Sequence, residues 1–333
     1  MPVFDTIAIM DDKNKKVLLS GIKPTGALHY GNYFGMIKPI LDKQEAYSNF
    51  LFIANLHALT SVNNKLELEK RTYELVAAFL AFGINLEKTT LYKQSDVPQV
   101  NELNWIFNCI TSMPYLMRAH AYKDAEAKNK EINVGVFDYP LLMAADILIE
   151  QADIVPVGSD QKQHVEIARD TAIKFNRIFG EAFRLPEPII EKDLGTITGT
   201  DGQKMSKSYN NTIPLFASKD ELSKLVMSIP TDSKGIDEPK ETENDTLLSL
   251  HKLLNPDYVH VENRYKNGGI GYKESKDILI DSMDNFISPF REKYEKLIND
   301  REYLDSVLSS GGKLAREKAE ETMVKVRKLV GLS

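Results

Sequence analysis

The chain has 333 residues, 42% of them apolar and 27% charged, with a formal net charge of −6 and a single cysteine, Cys109. This is the composition of a globular protein of about two domains, and it excludes both a disulfide framework and a cysteine-built zinc site within one chain. No run of about 18 apolar residues is present, which excludes a transmembrane helix, and the acidic balance argues against indiscriminate nucleic-acid binding while leaving room for a local basic surface.

The opening segment MPVFDTIAIMDDKNKK has neither a basic start nor a small-residue cleavage site, so it does not read as a signal peptide, and a reducing cytoplasm is expected. KKVLLSG (15–21) reads as a buried strand running into a Pro/Gly loop, IKPTGALHYGN, with a helix beginning near Asn32 and continuing to about Gln44. NFLFIANLHALT (49–60) and TTLYKQSDV (89–97) read as further strands, separated by a helical pattern over 65–84. Helices are expected at 101–112, 139–151 and 161–179, with a strand and turn in ADIVPVGSDQ (152–161). Strands alternating with helices predict βαβ units and a parallel sheet. After about residue 213 the β-like runs stop, and helical patterns occupy 219–228, 244–254, 257–267, 273–298 and 300–329. The expected division is an α/β catalytic domain over 1–212 followed by an all-α domain over 213–333.

Two stretches invite chemistry. In SGIKPTGALHYGNYFG (20–35) a strand, a turn and a helix start follow one another, which is where a parallel sheet places its ligands and where unpaired N–H groups favour an anion. Gly31 would allow a ligand to approach the backbone, and His29 and Asn32 could donate to phosphate oxygens. The second stretch, GTDGQKMSKSYNN (199–211), reads as an exposed, mobile loop carrying Lys204 and Lys207. A KxxK loop by itself is most often a solvated linker. Paired with the HxGN turn, it reads as a lid that places positive charge on a reacting phosphate and excludes water on closing. Neither a Walker loop nor a GxGxxG pattern occurs.

LHYGN (28–32) resembles the HIGH motif of class I aminoacyl-tRNA synthetases, and KMSKS (204–208) is identical to their second motif. Between them, YPLLMAADILIEQADIVPVGSDQKQHVEIARD (139–170) is similar to the central segment of the bacterial-type tryptophanyl-tRNA synthetases, as are SGIKPTGALHYGNYFG, FIANLHALT and NRYKNGGIGYKESKDIL. The likeness runs from about residue 16 to the end. It implies a Rossmann-type catalytic domain, with an inserted dimer interface at about 100–137, followed by a helical anticodon-binding domain whose last helix packs back on the first. It implies a homodimer and a two-step reaction in which ATP, with Mg²⁺ carried on its phosphates, activates L-tryptophan before transfer to tRNA(Trp).

The resemblance also implies roles. His29, Asn32, Lys123, Lys204 and Lys207 would serve catalysis. Lys23, Thr25, Gly31, Asn32, Gly158 and Asp160, with Lys204, Met205, Ser206, Lys207 and Ser208, would hold ATP. Leu19, His57, Tyr139, Met143, Asp146, Val155, Val157 and Gln161 would form the tryptophan slot, with Asp146 accepting the indole N–H. Asp146 also stands out without the resemblance, because a carboxylate in an apolar helix needs a partner. Met143 at helical spacing reads more often as core than as pocket, His57 equally as a satisfied buried histidine, and His120 and His164 as structural or surface residues. The chain departs from the family at Lys23, where glutamine is frequent, at Leu19, often aromatic, at Ser159, often acidic, and at Asn55, often aspartate. The nearest alternative is a tyrosyl-tRNA synthetase; a non-catalytic paralogue would be expected to have lost one of the two motifs, and neither is lost.

Overall fold

A computed structural model describes residues 15–127, 132–190 and 197–333. Five strands, β1 (Val17–Ile22), β2 (Ser48–Ile53), β3 (Thr89–Lys93), β4 (Ile154–Val157) and β5 (Glu187–Ile190), form one sheet in the order β3-β2-β1-β4-β5. All four strand pairings are parallel, with Leu19 opposite Phe50, Phe50 opposite Thr90, Leu18 opposite Ile154 and Val155 opposite Pro188. Parallel strands are covered on both faces, which is why VLLSGI and SNFLFI read as nearly continuous apolar runs. The order reverses between β1 and β4, so the crevice at their carboxyl ends is the place where such a sheet takes a ligand.

Several boundaries differ from the sequence expectation. NFLFIANLHALT is not one strand: β2 ends at Ile53 and Asn55–Ala58 turns into a short helix, α3. The cause lies in neighbouring side chains. Gln94 Oε1 accepts the backbone N–H groups of Leu56 (3.0 Å) and His57 (3.2 Å), and the Asn55 side chain bonds both the backbone N and the hydroxyl of Ser95, so the chain is drawn out of the sheet. TTLYKQSDV likewise leaves the sheet after Lys93, in a 3₁₀ turn over Gln94–Asp96. β5 had no counterpart in the sequence reading; Pro186 and Pro188 are unfavourable to a strand, and β5 is tolerated because it is the sheet edge. The helix expected from Asn32 begins at Tyr30, with α1 (Tyr30–Asn32), a π turn over Tyr33–Ile37 and α2 (Lys38–Lys43). Pro39 crowds the carbonyl four residues before it, at Gly35, which accounts for the widened turn.

The remaining helices are α4 (Lys65–Ala81), α5 (Gln99–Ile110), α6 (Met113–Leu116), α7 (His120–Ala127), α8 (Val134–Ile149), α9 (Lys162–Phe179), α10 (Lys219–Met227), α11 (Thr246–Leu254), α12 (Tyr258–Asn267), α13 (Tyr272–Ile298) and α14 (Arg301–Val330). α8 starts earlier than expected because Asn133 caps it, accepting from the Val136 N–H at 2.9 Å. The α6 and α7 turns inside the 100–137 segment had no counterpart in the sequence reading.

The chain divides into two compact units that do not follow a single cut. The first holds Met1–Thr25, Ile40–Glu191 and Asp300–Ser333, and so contains the sheet and α14. α14 lies so close to β3 that a Cβ on Gly311 would fall 1.9 Å from the Leu91 carbonyl oxygen; glycine is required there by space. The second holds Gly26–Pro39 and Lys192–Asn299. Its first segment is fastened by aromatic rings: Phe286 of α13 packs on Tyr30, Tyr33 and Phe34. A separate small core joins Leu248, Val261, Tyr265 and Ile270. No helix among the described residues is long and apolar enough to cross a membrane.

Candidate functional site

The first unit presents a buried polar cluster at the ends of β2 and β3. Asp146, on α8, is 2% exposed. His57 Nε2 lies 2.9 Å from Asp146 Oδ2, and against an ionised carboxylate that nitrogen is the donor. Gln94 Nε2 donates to both carboxylate oxygens at 2.9 Å, while its own Oε1 is occupied by the backbone of α3. Burial pushes the Asp146 carboxyl up, and the His57 and Gln94 donors pull it back. A carboxylate has about four acceptor positions, so Oδ1, with Gln94 as its described donor, retains room for another N–H. The Tyr139 ring stands edge-on to His57, 6.1 Å between centroids, and the Tyr139 hydroxyl bonds His164 Nε2 at 2.9 Å.

The other first-unit residues are placed around this cluster to different degrees. Met143 and Val157 are half-buried against the core, whereas Leu19 and Val155 belong to the core itself. Lys23 donates to Thr60 Oγ1 at 3.1 Å, and Thr60 in turn donates to the His57 carbonyl at 2.8 Å, so Lys23 is tethered beside His57. The Thr25 N–H closes a turn on the Lys23 carbonyl. Gly158 is exposed, and Gln161 is half-buried as the cap of α9. Lys123 is exposed on α7. The Asp160 and His120 side chains lie outside the described residues. His164 is buried.

In the second unit the two sequence motifs meet. His29 caps α1, and its backbone N–H is accepted by Asn32 Oδ1 at 3.0 Å. Gly31 N–H points at Met205 Sδ, 3.3 Å away, and Met205 is buried. A Cβ on Gly26 would fall 2.8 Å from Lys207 Cδ and 2.9 Å from Lys207 Nζ. The lysine arm therefore lies across a glycine whose φ of +60° suits glycine as well. His29 is pushed down to about 4, first by burial and then by the Lys207 charge, and is neutral near pH 7. Lys204 and Ser208 are exposed, and Ser206 and Ser208 share a hydrogen bond of 2.8 Å.

The loop expected to be exposed and mobile is built around Asn211, which is 2% exposed. Its amide nitrogen donates to Asp201 Oδ1 (2.7 Å) and to the Lys204 carbonyl (3.0 Å), and its oxygen accepts the Ser206 N–H (2.7 Å). Sequence reasoning missed Asn211, and it missed Gln94. The signal for each was a polar amide directly beside a motif or a strand end.

With this geometry in hand, the comparisons are direct. A family model described as tRNA synthetases class I (W and Y) matches residues 11–288. The tryptophan–tRNA ligase of Fusobacterium nucleatum is 46% identical over 317 residues, covering 94% of this chain and 97% of that protein. The tryptophanyl-tRNA synthetase of Campylobacter jejuni, solved with ADP and tryptophan, superposes with a TM-score of 0.90 at 44% identity, covering 95% of this chain and all of that one. A tyrosyl-tRNA synthetase from Archaeoglobus fulgidus, at 18% identity and a TM-score of 0.65, shares the fold. The chain belongs to the class I tRNA synthetases of the tryptophan and tyrosine group, and within it to the family of the tryptophan–tRNA ligases.

Proposed function

We propose that this aminoacyl-tRNA ligase activates L-tryptophan with ATP and transfers it to tRNA(Trp). The observation that carries the choice of amino acid is the buried Asp146 carboxylate, held by His57 and Gln94 with an acceptor position to spare for an indole N–H. The tryptophan carboxylate attacks the α-phosphorus of ATP; the bond to the bridging oxygen breaks and pyrophosphate leaves. The 2′-hydroxyl of the terminal adenosine of the tRNA then takes the acyl group, releasing AMP. ATP itself activates the carboxylate, so the protein needs no covalent nucleophile, and catalysis is positioning and charge stabilisation.

Lys204 and Lys207 bind the leaving pyrophosphate, His29 and Asn32 hold phosphate or ribose, and neutral His29 can donate without adding to the Lys207 charge. Lys204, Lys207 and the neutral His29 offer no carboxylate oxygen of the kind Mg²⁺ favours, which suits a cation carried by the nucleotide's phosphates. Lys23, Thr25, Gly158 and Asp160 extend the ATP contacts, and Lys123 reaches the triphosphate. Tyr139, Met143, Leu19, Val155, Val157 and Gln161 enclose the amino acid. The helices from residue 213 onward supply the anticodon surface, and the enzyme works in the cytoplasm.

The test is charging of tRNA(Trp) with labelled tryptophan, tyrosine or phenylalanine. Charging by tryptophan supports the reading; charging of tRNA(Tyr) by tyrosine replaces it.

A homodimer through the 100–137 segment is supported by its exposed apolar side chains: Trp105 is 70% exposed, Met113 65% and Val134 79%. Because Trp105 is the single tryptophan of the chain, its emission is expected to be blue-shifted at micromolar concentration and to move to the red on dilution. A monomer by sedimentation at all concentrations would sink the dimer.

A further inference from the structure

Glu150 has no part in the reaction described above, yet it is fully buried, at 0% exposure, as the C-cap of α8. Its Oε1 accepts from the Tyr92 hydroxyl at a long 3.3 Å, and its Oε2 has no hydrogen-bond partner among the described residues. Three features oppose a negative charge there. Burial removes water. The end of α8 presents the negative pole of the helix. Asp146 stands four residues earlier on the same helical face, and its charge repels a second carboxylate. Against these stand the Tyr92 hydroxyl of β3 and the attraction of Lys318 on α14. Burial is the largest influence, and the balance holds Glu150 up at about 8. Asp146 is also raised by burial, but His57 and Gln94 both donate to it. Asp146 has donors on both oxygens, whereas Glu150 has one long donor and an unpartnered oxygen, so of the two buried carboxyls Asp146 is the better fitted to carry the charge and Glu150 to keep a proton.

We propose that Glu150 is a positioning residue for tryptophan binding: by keeping the proton of the pair, it leaves the negative charge on Asp146, where the indole N–H is received. This rests on the function proposed above. A buried carboxyl with an unpartnered oxygen costs stability, and such local costs are expected at functional sites. When Glu150 ionises, its unpartnered Oε2 draws water in around α8 and β3, which loosens the hold on Asp146.

The experiment compares wild type with Glu150→Gln, which keeps the shape and removes the titration. Because the folded value lies above the unfolded value of 4.5, the wild-type penalty is absent below about pH 4.5, grows up to about pH 8 and is constant above it. The Tm gain of the glutamine variant is therefore expected to be small at about pH 5 and to grow towards about pH 8. In ATP–pyrophosphate exchange, the wild-type KM for tryptophan is expected to rise about tenfold between about pH 7 and about pH 9, and that of Glu150→Gln by no more than about twofold, with the KM for ATP alike in both. The substrate's own ammonium titrates in both assays, so the difference between the enzymes is the readout. A rise shared by both enzymes, or a Tm difference independent of pH, overturns the inference and leaves Glu150 a packing residue. A wild type that does not activate tryptophan at all overturns the functional reading instead, and with it the role given to Asp146.

Discussion

Replacing Lys207 with alanine is expected to lower kcat for adenylate formation by about 10²- to 10³-fold, which corresponds to about 3–4 kcal/mol of transition-state stabilisation. The KM for tryptophan should stay within about twofold, because the loss is in the transition state. Lys207 is exposed, so its removal should leave the fold intact. Its arm nonetheless lies across Gly26 and close enough to His29 to depress the imidazole. A side chain that filled space without acting on phosphate would show none of this kinetic split. A rate within about threefold of wild type, in folded protein with Mg²⁺ present, would remove Lys207 from the pyrophosphate clamp. The Asn211 ties hold the backbone of this loop at Lys204 and Ser206, so the lysines are presented by a shaped turn.

The second large effect is at Asp146. Asp146→Ala strips the acceptor from His57 and Gln94, which are 7% and 1% exposed, and is expected to destabilise the protein by about 2–4 kcal/mol in a denaturant melt. Asp146→Asn keeps the volume but turns an NH₂ group toward donors. It should fold with a smaller loss, and kcat/KM for tryptophan should fall about 10²- to 10³-fold while that for phenylalanine hardly changes. The contrast matters because a site built around a hydrogen bond penalises the ligand that lacks it. Equal losses for both amino acids would make Asp146 a structural member of the cluster and not the indole acceptor.

Much of this arrangement was legible in the chain. The period of the apolar residues predicted strands alternating with helices, and KMSKS with LHYGN marked the two motifs that the second unit brings into contact. What escaped was set by tertiary partners. FIANLHALT has the composition of a strand throughout, yet Gln94 and Ser95, 40 residues away in the case of the Asn55–Ser95 bond, turn its second half into a helix. β5 carries two prolines in or beside it and is allowed only by lying at the edge, a position local sequence does not encode. Glu150 was unremarked because a glutamate after an apolar helix ordinarily reaches solvent; only the close approach of α14 and β3 shows it enclosed. The grouping of Gly26–Pro39 with the later helices follows from the rings of Tyr33, Phe34 and Phe286, which no periodicity along the chain links.

The most direct measurement is amino-acid-dependent ATP–pyrophosphate exchange without tRNA, with tryptophan, tyrosine and phenylalanine supplied in turn. Exchange supported by tryptophan alone is the predicted result. Exchange supported by tyrosine in preference to tryptophan, or by none of the three in folded protein with Mg²⁺, would contradict it.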